Sequence, residues 1–305
     1  MSTQLNLWLP EKVFKGGLPL NCMAYRKASL LLVVAAAIFA TNGLYVRLLP
    51  LPMEAIVAGR LFFGALAMFL FFAWQGKSLS LRGVNLRLLV FAAACNALAF
   101  YANFKAYELT TIAVATVLLY TSPVFAAVLE KFFFKDEEID RKNWAAVGLG
   151  LLGVLAIAWG EGLGQGLALN AGFLFGIASG LGYALTIIYT KRSIAANGYE
   201  KTAFYYVLLA GLMLSPLALA AKPVFTLQAL GWLALFGVLN SFVGVLLLLK
   251  GMKQVKPHHA IILVSTEMVF AAGYAAVFLG EALKPSVLAG AVLLALAAYV
   301  AEKKG

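Results

Sequence analysis

The chain contains ten long apolar stretches separated by short polar segments, a pattern that few folds can accommodate. Most stretches have the roughly 17–25 residues that an α-helix needs to cross a hydrocarbon core. With 63% hydrophobic and 12% charged residues, the chain has too much apolar surface for one water-soluble core. We therefore predict an all-α membrane protein with ten transmembrane helices, since backbone groups in lipid must be satisfied within the chain. The predicted spans are 27–49, 54–75, 86–107, 111–133, 143–160, 168–190, 202–221, 228–249, 257–279 and 285–302.

The net charge of +11 reports orientation in the membrane rather than nucleic-acid binding. If the N-terminus is cytoplasmic, nineteen of the 24 Lys and Arg residues fall on the inner side. Only Arg47, Lys105, Lys222 and Lys284 fall on the outer side, and Arg60 falls within a span. This positive-inside bias predicts a multi-pass protein of the inner (cytoplasmic) membrane with both termini in the cytoplasm. No basic stripe interleaved with exposed aromatic residues indicates nucleic acid as a partner.

One short pattern occurs twice, once in each half of the chain. Residues 122–127 read Ser-Pro-Val-Phe-Ala-Ala, and residues 267–272 read Glu-Met-Val-Phe-Ala-Ala. We predict a disordered cytoplasmic tail and two five-helix repeats joined by a glycine-rich linker. Because each repeat has an odd number of spans, the second enters the membrane from the opposite face, which makes the repeats inverted. The predicted boundaries are 1–25 for the tail, 26–160 for the first repeat, 161–166 for the linker and 167–305 for the second repeat.

These repeated segments resemble the EamA-type ten-helix transporters of the drug/metabolite transporter superfamily. The resemblance rests on residues 123–127 and 267–272, on the Leu279-Gly280-Glu281 turn and on Arg60 early in the second span. It covers nearly the whole chain after residue 25. The order, spacing and duplication of these short motifs make it specific.

The chain departs from the family pattern at four positions. Met268 replaces the usual proline after the glutamate, and Ser122 occupies the glutamate-like position of the first half. Phe39 and Tyr183 stand where tryptophan is common in the first and sixth helices. Within the family, these differences bear on the choice of substrate.

Glu267 is the sharpest candidate for chemistry. It lies about ten residues into the ninth predicted span, near mid-bilayer at about 1.5 Å per residue. A charge at that depth costs about 2.5–3.5 kcal/mol, so the side chain needs a partner, a wet cavity or a proton. Two roles stay open: a carboxylate that binds protons or a substrate amine, and a buried hydrogen-bonding group that joins helices.

Arg60 and Pro123 are predicted to act in gating or structure. Arg60 lies six residues into its span, where it could snorkel to the headgroups, bind a substrate carboxylate, or pair with Glu54 or Glu108. Pro123 would break the fourth helix and free backbone groups there.

A further set of polar and aromatic residues is predicted to line a substrate cavity. Asn96 and Asn103 are seven residues apart and share one face of the third helix. Polar groups this deep need partners, either on other helices or in a cavity. Hydrogen bonding between helices is the alternative for each residue alone. The full set is Asn42, Tyr45, Asn96, Asn103, Tyr120, Tyr183, Asn240 and Ser241.

The resemblance implies a secondary transporter that exports amino acids or related small organic metabolites by alternating access, with proton coupling as an option. Export of drugs and transport of nucleotide sugars are neighbouring alternatives. A membrane-embedded enzyme acting on lipid-linked substrates is an alternative of another class, but it needs several converging ionisable groups, and Glu267 is essentially alone. No Walker motif or metal-ligand cluster is present, so we predict no enzyme activity, no cofactor and no metal. The predicted partners are a small-molecule substrate and the lipid bilayer, with protons as an option.

Overall fold

A computed structural model describes residues 22–122, 124–126, 129, 141–160, 171–254 and 263–302. Every regular element among these residues is helical. The α-helices are α1 (Cys22–Phe39), α2 (Asn42–Leu48), α3 (Met53–Trp74), α4 (Leu86–Leu109), α5 (Ile112–Leu119), α6 (Arg141–Gly160), α7 (Ala171–Asn197), α8 (Tyr199–Ala220), α9 (Leu227–Phe236), α10 (Val245–Gln254), α11 (Glu267–Leu279) and α12 (Pro285–Glu302). A π-helical segment, Gly237–Gly244, joins α9 to α10.

The hydropathy of these helices confirms a membrane protein. Among the described residues, six helical stretches are long and apolar enough to cross a bilayer, and three apolar stretches are shorter. The six are Arg26–Leu48, Met53–Trp74, Leu86–Leu109, Ala171–Asn197, Tyr199–Ala220 and Leu227–Met252. The shorter ones are Ile112–Ala126, Leu263–Leu279 and Pro285–Ala297. The count of ten spans stays a prediction.

Three of the predicted spans are interrupted rather than continuous. The first breaks at residues 40–41, between α1 and α2, where the Thr41 hydroxyl donates to the carbonyl of Ile38 at 2.7 Å. The eighth contains the π segment, and the ninth turns at Thr266 immediately before α11. Mean hydropathy does not reveal these breaks, because the few polar residues at them, such as Asn42, Asn240 and Thr266, are outweighed by the apolar residues of each span.

The helices pack in pairs that link the two halves of the chain. The most extensive contacts join α4 to α7, α6 to α12, and α3 to α8, while α1 packs against α10 and the π segment. Glycines permit a close approach between α3 and the π segment. A Cβ atom on Gly64 would lie 2.2 Å from the Cβ of Ser241, and one on Gly237 would lie 2.7 Å from the carbonyl oxygen of Arg60. This contact holds Arg60 directly against the π segment.

Polar contacts tie loops together at one end of the bundle. Lys77, after α3, forms an ion pair with Glu200 at the start of α8. Nearby, the Tyr205 hydroxyl donates to the carbonyl of Leu79 at 2.5 Å, and the backbone N–H of Asn85 donates to the side chain of Asn197 at 2.7 Å. The loop between α3 and α4 is thereby attached to the turn between α7 and α8.

A separate set of contacts closes the opposite end. Arg47 donates to the carbonyl of Thr110 at 2.6 Å, and the Glu281 carboxylate accepts from the N–H of Ile112 at 3.1 Å. Lys105 lies 2.5 Å from Glu108 and 3.9 Å from Glu54. Glu54 and Glu108 therefore pair with Lys105 and not with Arg60, which corrects the pairing considered for that arginine.

Some regions predicted from the sequence lie partly or wholly outside the described residues. Helix α1 begins at Cys22, so the last four residues of the predicted tail 1–25 are helical. The helix extends beyond the apolar run because the basic pair Arg26-Lys27 is compatible with a helix end outside the hydrocarbon. Pro123 and the predicted linker 161–166 lie outside the described residues.

Candidate functional site

Buried polar side chains gather inside the bundle, about midway along its helices. They come from seven helical elements and from both halves of the chain. We call this group the central cluster. Its members, all less than 5% exposed, are Asn42, Arg60, Asn96, Asn103, Tyr120, Tyr206, Asn240 and Glu267.

Arg60 of α3 lies at one side of the central cluster and is only 1% exposed. Its Nη1 donates to Oδ1 of Asn42 at 3.0 Å. Its guanidinium carbon stands 4.1 Å from the ring centre of Phe100, 4.9 Å from that of Phe104 and 5.3 Å from that of Phe236. Each such ring attracts a buried cation by roughly 0.5–2 kcal/mol. The side chain therefore points into the protein and does not snorkel, because the rings and Asn42 hold it there.

Glu267 lies at the start of α11 and is 3% exposed. The Tyr120 hydroxyl, from the end of α5, lies 2.6 Å from its Oε2 and 2.8 Å from the carbonyl oxygen of Val264. The ring of Tyr120 meets that of half-buried Tyr183 edge to face, with centroids 6.4 Å apart. The turn at Thr266 places Glu267 at the beginning of a helix, where its carboxyl group can face across to α5.

Asn96 and Asn103 project from the same face of α4 into the central cluster, as their spacing predicts. Oδ1 of Asn96 accepts from the Tyr206 hydroxyl of α8 at 3.0 Å. Asn103 lies beside the buried hydroxyl of Tyr107, which in turn is 3.3 Å from the hydroxyl of Thr116. Helix α4 thus contributes polar contacts to helices of both halves.

The π segment brings Asn240 and Ser241 to the cluster, where both are buried. Nδ2 of Asn240 donates to the hydroxyl of Thr41 at 3.1 Å, so the π segment is joined to the break between α1 and α2. Tyr45 of α2 stacks on Phe236 with centroids 4.0 Å apart. Phe236 is one of the rings around Arg60, which connects Tyr45 to the guanidinium site indirectly.

Arg60 and Glu267 are the two ionisable side chains of opposite charge within the central cluster. They do not touch: Arg60 binds Asn42, and Glu267 binds Tyr120. The interior therefore contains a cation and a carboxyl group that do not neutralise each other by contact.

Several buried polar atoms of this region have no hydrogen-bond partner among the described residues. Arg60 leaves Nε and Nη2 unpaired, and Asn96 leaves its Nδ2. Oδ1 of Asn103, Oδ1 of Asn240 and the hydroxyl of Ser241 are also unpaired. An unpaired buried polar group costs about 1–3 kcal/mol, and more when it is charged. Such a concentration indicates a place that water or a ligand occupies.

The structure brings most of the predicted site residues together. Asn42, Asn96, Asn103, Tyr120, Asn240, Ser241 and Glu267 are all buried in or beside the central cluster, and Tyr45 and Tyr183 lie at its edge. Their roles stay predictions.

Sequence reasoning missed Tyr206, Phe104 and Phe236. Tyr206 follows Tyr205 near a span end, where tyrosines commonly anchor helices at the interface. Adjacent residues of a helix point about 100° apart, so one tyrosine reaches Leu79 and the other reaches Asn96. The adjacent pair Tyr205-Tyr206 was therefore the signal in the sequence that one tyrosine faces the bundle interior. Phe104 and Phe236, two phenylalanines in apolar helices, carry no such signal.

Comparisons with known proteins agree with this architecture. The model of the EamA-like transporter family matches residues 26–159 and again residues 170–301. A protein of Archaeoglobus fulgidus described as an uncharacterized transporter is 30% identical over 287 residues, which is 93% of this chain and 98% of the relative. One solved crystal structure, 16% identical, superimposes with a TM-score of 0.68 over 90% of this chain and 95% of the other. At that identity the structural match shows a shared fold alone.

The family matches and the A. fulgidus relative point to a transporter rather than an enzyme. They agree with the apolar helices that cross a bilayer and with the polar cluster buried between them. The chain belongs to the EamA-like transporter family, within the drug/metabolite transporter superfamily.

Proposed function

We propose that this membrane transporter exports small organic metabolites, amino acids or related compounds, by alternating access to the central cluster. The observation that carries the proposal is the central cluster itself. An isolated charge in hydrocarbon is costly, and intramembrane ionisable residues commonly mark a transport pathway. Arg60 and Glu267 are both buried, yet neither is neutralised by contact with the other. A site that binds and releases a polar solute accounts for their burial.

The alternating-access part of the proposal rests on inverted repeats. The two stretches that match the family model are of nearly equal length. Helix contacts also correspond when the halves are exchanged: α4 packs on α7 as α1 packs on α10 and the π segment, and the pairs α3–α8 and α6–α12 map onto themselves. Two similar halves of opposite orientation can exchange conformations, and that exchange would open the cluster to each face in turn.

Proton coupling has a specific physical basis at Tyr120. Its hydroxyl oxygen lies within hydrogen-bond distance of both Glu267 and the carbonyl of Val264, yet a phenol has one proton to donate. When Glu267 is ionised, the Tyr120 hydroxyl donates its hydrogen bond to the carboxylate. When Glu267 is protonated, its own O–H can donate to Tyr120 and release the phenol proton to Val264. Protonation of Glu267 would thus change how α5 is joined to the turn before α11.

The orientation follows from the charge bias of the sequence. With nineteen basic residues on one side and four on the other, we place both termini in the cytoplasm and the protein in the cytoplasmic membrane. Export then means movement from the side of the Lys77–Glu200 contact to the side of the Arg47–Thr110 contact.

Transport by the Glu267→Gln variant in proteoliposomes tests the proposal. Vesicles would be loaded with the proteinogenic amino acids, and their exchange and pH-gradient-driven movement followed by mass spectrometry. We expect the wild-type protein to move at least one of them and Glu267→Gln to lose gradient-driven movement, since an amide cannot titrate. Glu108→Gln is the matched control, because Glu108 is exposed and lies at a bundle end. Unchanged gradient-driven transport by Glu267→Gln would refute the role of this residue, and no movement by the wild type would refute the substrate class.

A further inference from the structure

The guanidinium of Arg60 has an unused edge. Nη1 is bonded to Asn42, but Nε and Nη2 have no partner among the described residues, although the side chain is 1% exposed. Nε and Nη2 lie side by side on one edge of the planar group. That edge presents two parallel N–H donors at the spacing of the two oxygens of a carboxylate. Leaving such donors bare inside a protein is costly, and an acceptor bound at this edge would remove that cost.

The aromatic surroundings limit what the acceptor can be. Phe100, Phe104 and Phe236 surround the guanidinium at 4.1, 4.9 and 5.3 Å and offer only ring faces and apolar edges. They cannot accept strong hydrogen bonds in the plane of the guanidinium, but they can pack against an apolar group of a ligand. A compact planar anion attached to an apolar body fits this combination.

Glu267 provides a second charged group that can recognise a ligand. Its carboxyl group has the opposite charge to Arg60 when it is ionised, and it is bonded to Tyr120 rather than to Arg60. A ligand that carries both a carboxylate and an ammonium group would satisfy the two side chains at once. A simple amine would leave the Arg60 edge bare, and a simple carboxylic acid would leave Glu267 without a cationic partner.

We propose that the Nε–Nη2 edge of Arg60 binds the carboxylate of the transported solute, so that the solute class is a carboxylate-bearing amine whose side chain packs on the phenylalanine rings. The assignment rests on the proposed function. It gives Arg60 a direct substrate-binding role in place of the gating or structural role expected from its position in the sequence. Lysine at this position would keep the charge but lose the two-donor edge.

Matched ligand sets test the assignment through binding, without transport. The first set is L-leucine, 3-methylbutylamine and 4-methylpentanoate, and the second is L-phenylalanine, phenethylamine and 3-phenylpropanoate. Each amine lacks only the carboxylate of its amino acid, and each acid lacks only the amine. Binding would be measured on the purified full-length protein in detergent as the ligand-dependent rise in melting temperature.

We expect at least one amino acid to bind the wild-type protein about tenfold or more tightly than its amine. Arg60→Gln should abolish that preference and leave the affinity for the amine unchanged. Arg60→Lys, which keeps the positive charge if Arg60→Gln fails to fold, should retain only part of it. Arg47→Gln is the control, because Arg47 lies at a bundle end and binds a backbone carbonyl.

Two results would overturn the assignment. One is wild-type protein that binds the amines as tightly as the amino acids, or that binds none of the carboxylates. The other is an Arg60 variant that folds and keeps the full preference for the amino acid. Both results are compatible with movement of an amino acid by the wild type in the vesicle assay, where other groups of the central cluster would then recognise it, so failure of the carboxylate assignment is distinguishable from failure of the proposed function.

Discussion

The hydrogen bond between Tyr120 and Glu267 predicts a measurable coupling between the two side chains. The perturbation is a double-mutant cycle of Tyr120→Phe, Glu267→Gln and the double variant. Phenylalanine removes the hydroxyl and keeps the ring against Tyr183, and glutamine keeps the shape of the carboxyl group. The cycle therefore isolates the bond and leaves the surrounding packing largely intact.

The magnitude follows from the geometry. The two oxygens are 2.6 Å apart, and Tyr120 and Glu267 are 1% and 3% exposed. Hydrogen bonds to a charged group contribute about 1.5–3 kcal/mol in soluble proteins. Cycles between membrane helices average about 0.6 kcal/mol and reach about 1.7 kcal/mol. Because this bond is short, buried and involves a carboxyl group, we expect a coupling near the upper membrane value, about 1.5 kcal/mol.

Reversible unfolding in mixed detergent and dodecyl sulfate micelles, followed by circular dichroism, gives the free energy of unfolding for each variant. The matched control is the Tyr206–Asn96 pair, a neutral bond of 3.0 Å at a similar depth, for which we expect about 0.6 kcal/mol. Substitutions that add within about 0.3 kcal/mol would contradict the bond between Tyr120 and Glu267. A coupling no larger than the control would contradict the contribution that we attribute to the carboxyl group.

Three further predictions concern packing, charge and access. Gly64→Ala should lower the free energy of unfolding by about 1–3 kcal/mol, because its Cβ would lie 2.2 Å from that of Ser241; Gly148→Ala, which meets nothing within 4 Å, should cost far less. Lys77→Glu should increase hydrogen exchange in the loop between α3 and α4, and adding Glu200→Lys should restore protection. The hydrogen bond to Glu200 raises the pKa of Lys77 above its ordinary value, so this protection should persist at neutral pH and be lost only as pH rises through that raised pKa. Single cysteines in the central cluster should react with small aqueous thiol reagents in at least one state of a transport cycle, and inaccessibility in every state would contradict a wet cavity there; the positions are Asn42, Asn103, Tyr120 and Asn240.

Much of the candidate site could be predicted because polar residues are conspicuous in apolar spans. Glu267, Asn96, Asn103 and Asn240 lie deep within predicted helices, and each needs a partner there. Burial follows from that requirement. The partners do not follow, because they lie on helices that are distant in sequence. Glu267 binds a tyrosine 147 residues away, and Asn96 binds one 110 residues away.

Arg60 shows where sequence reasoning left alternatives open and why. An arginine near a span end can reach the headgroups with its long side chain, so snorkelling is the economical expectation. The structure turns it inward, because Phe100, Phe104 and Phe236 converge from α4 and α9. A phenylalanine in an apolar helix reveals nothing in sequence about whether it faces lipid or a cation.

By itself, the sequence determined that this protein lies in a lipid bilayer, that its fold is helical and which family it belongs to. Composition excludes a water-soluble core, the length of the apolar runs demands helices, and the duplicated motifs identify the family. These properties depend on residues that are near one another in the chain. Only the tertiary structure decided the breaks in three spans, the inward direction of Arg60 and the separation of its charge from that of Glu267. Those features depend on how helices from both halves pack, and packing between distant segments is set by side-chain shape that hydropathy and spacing do not record.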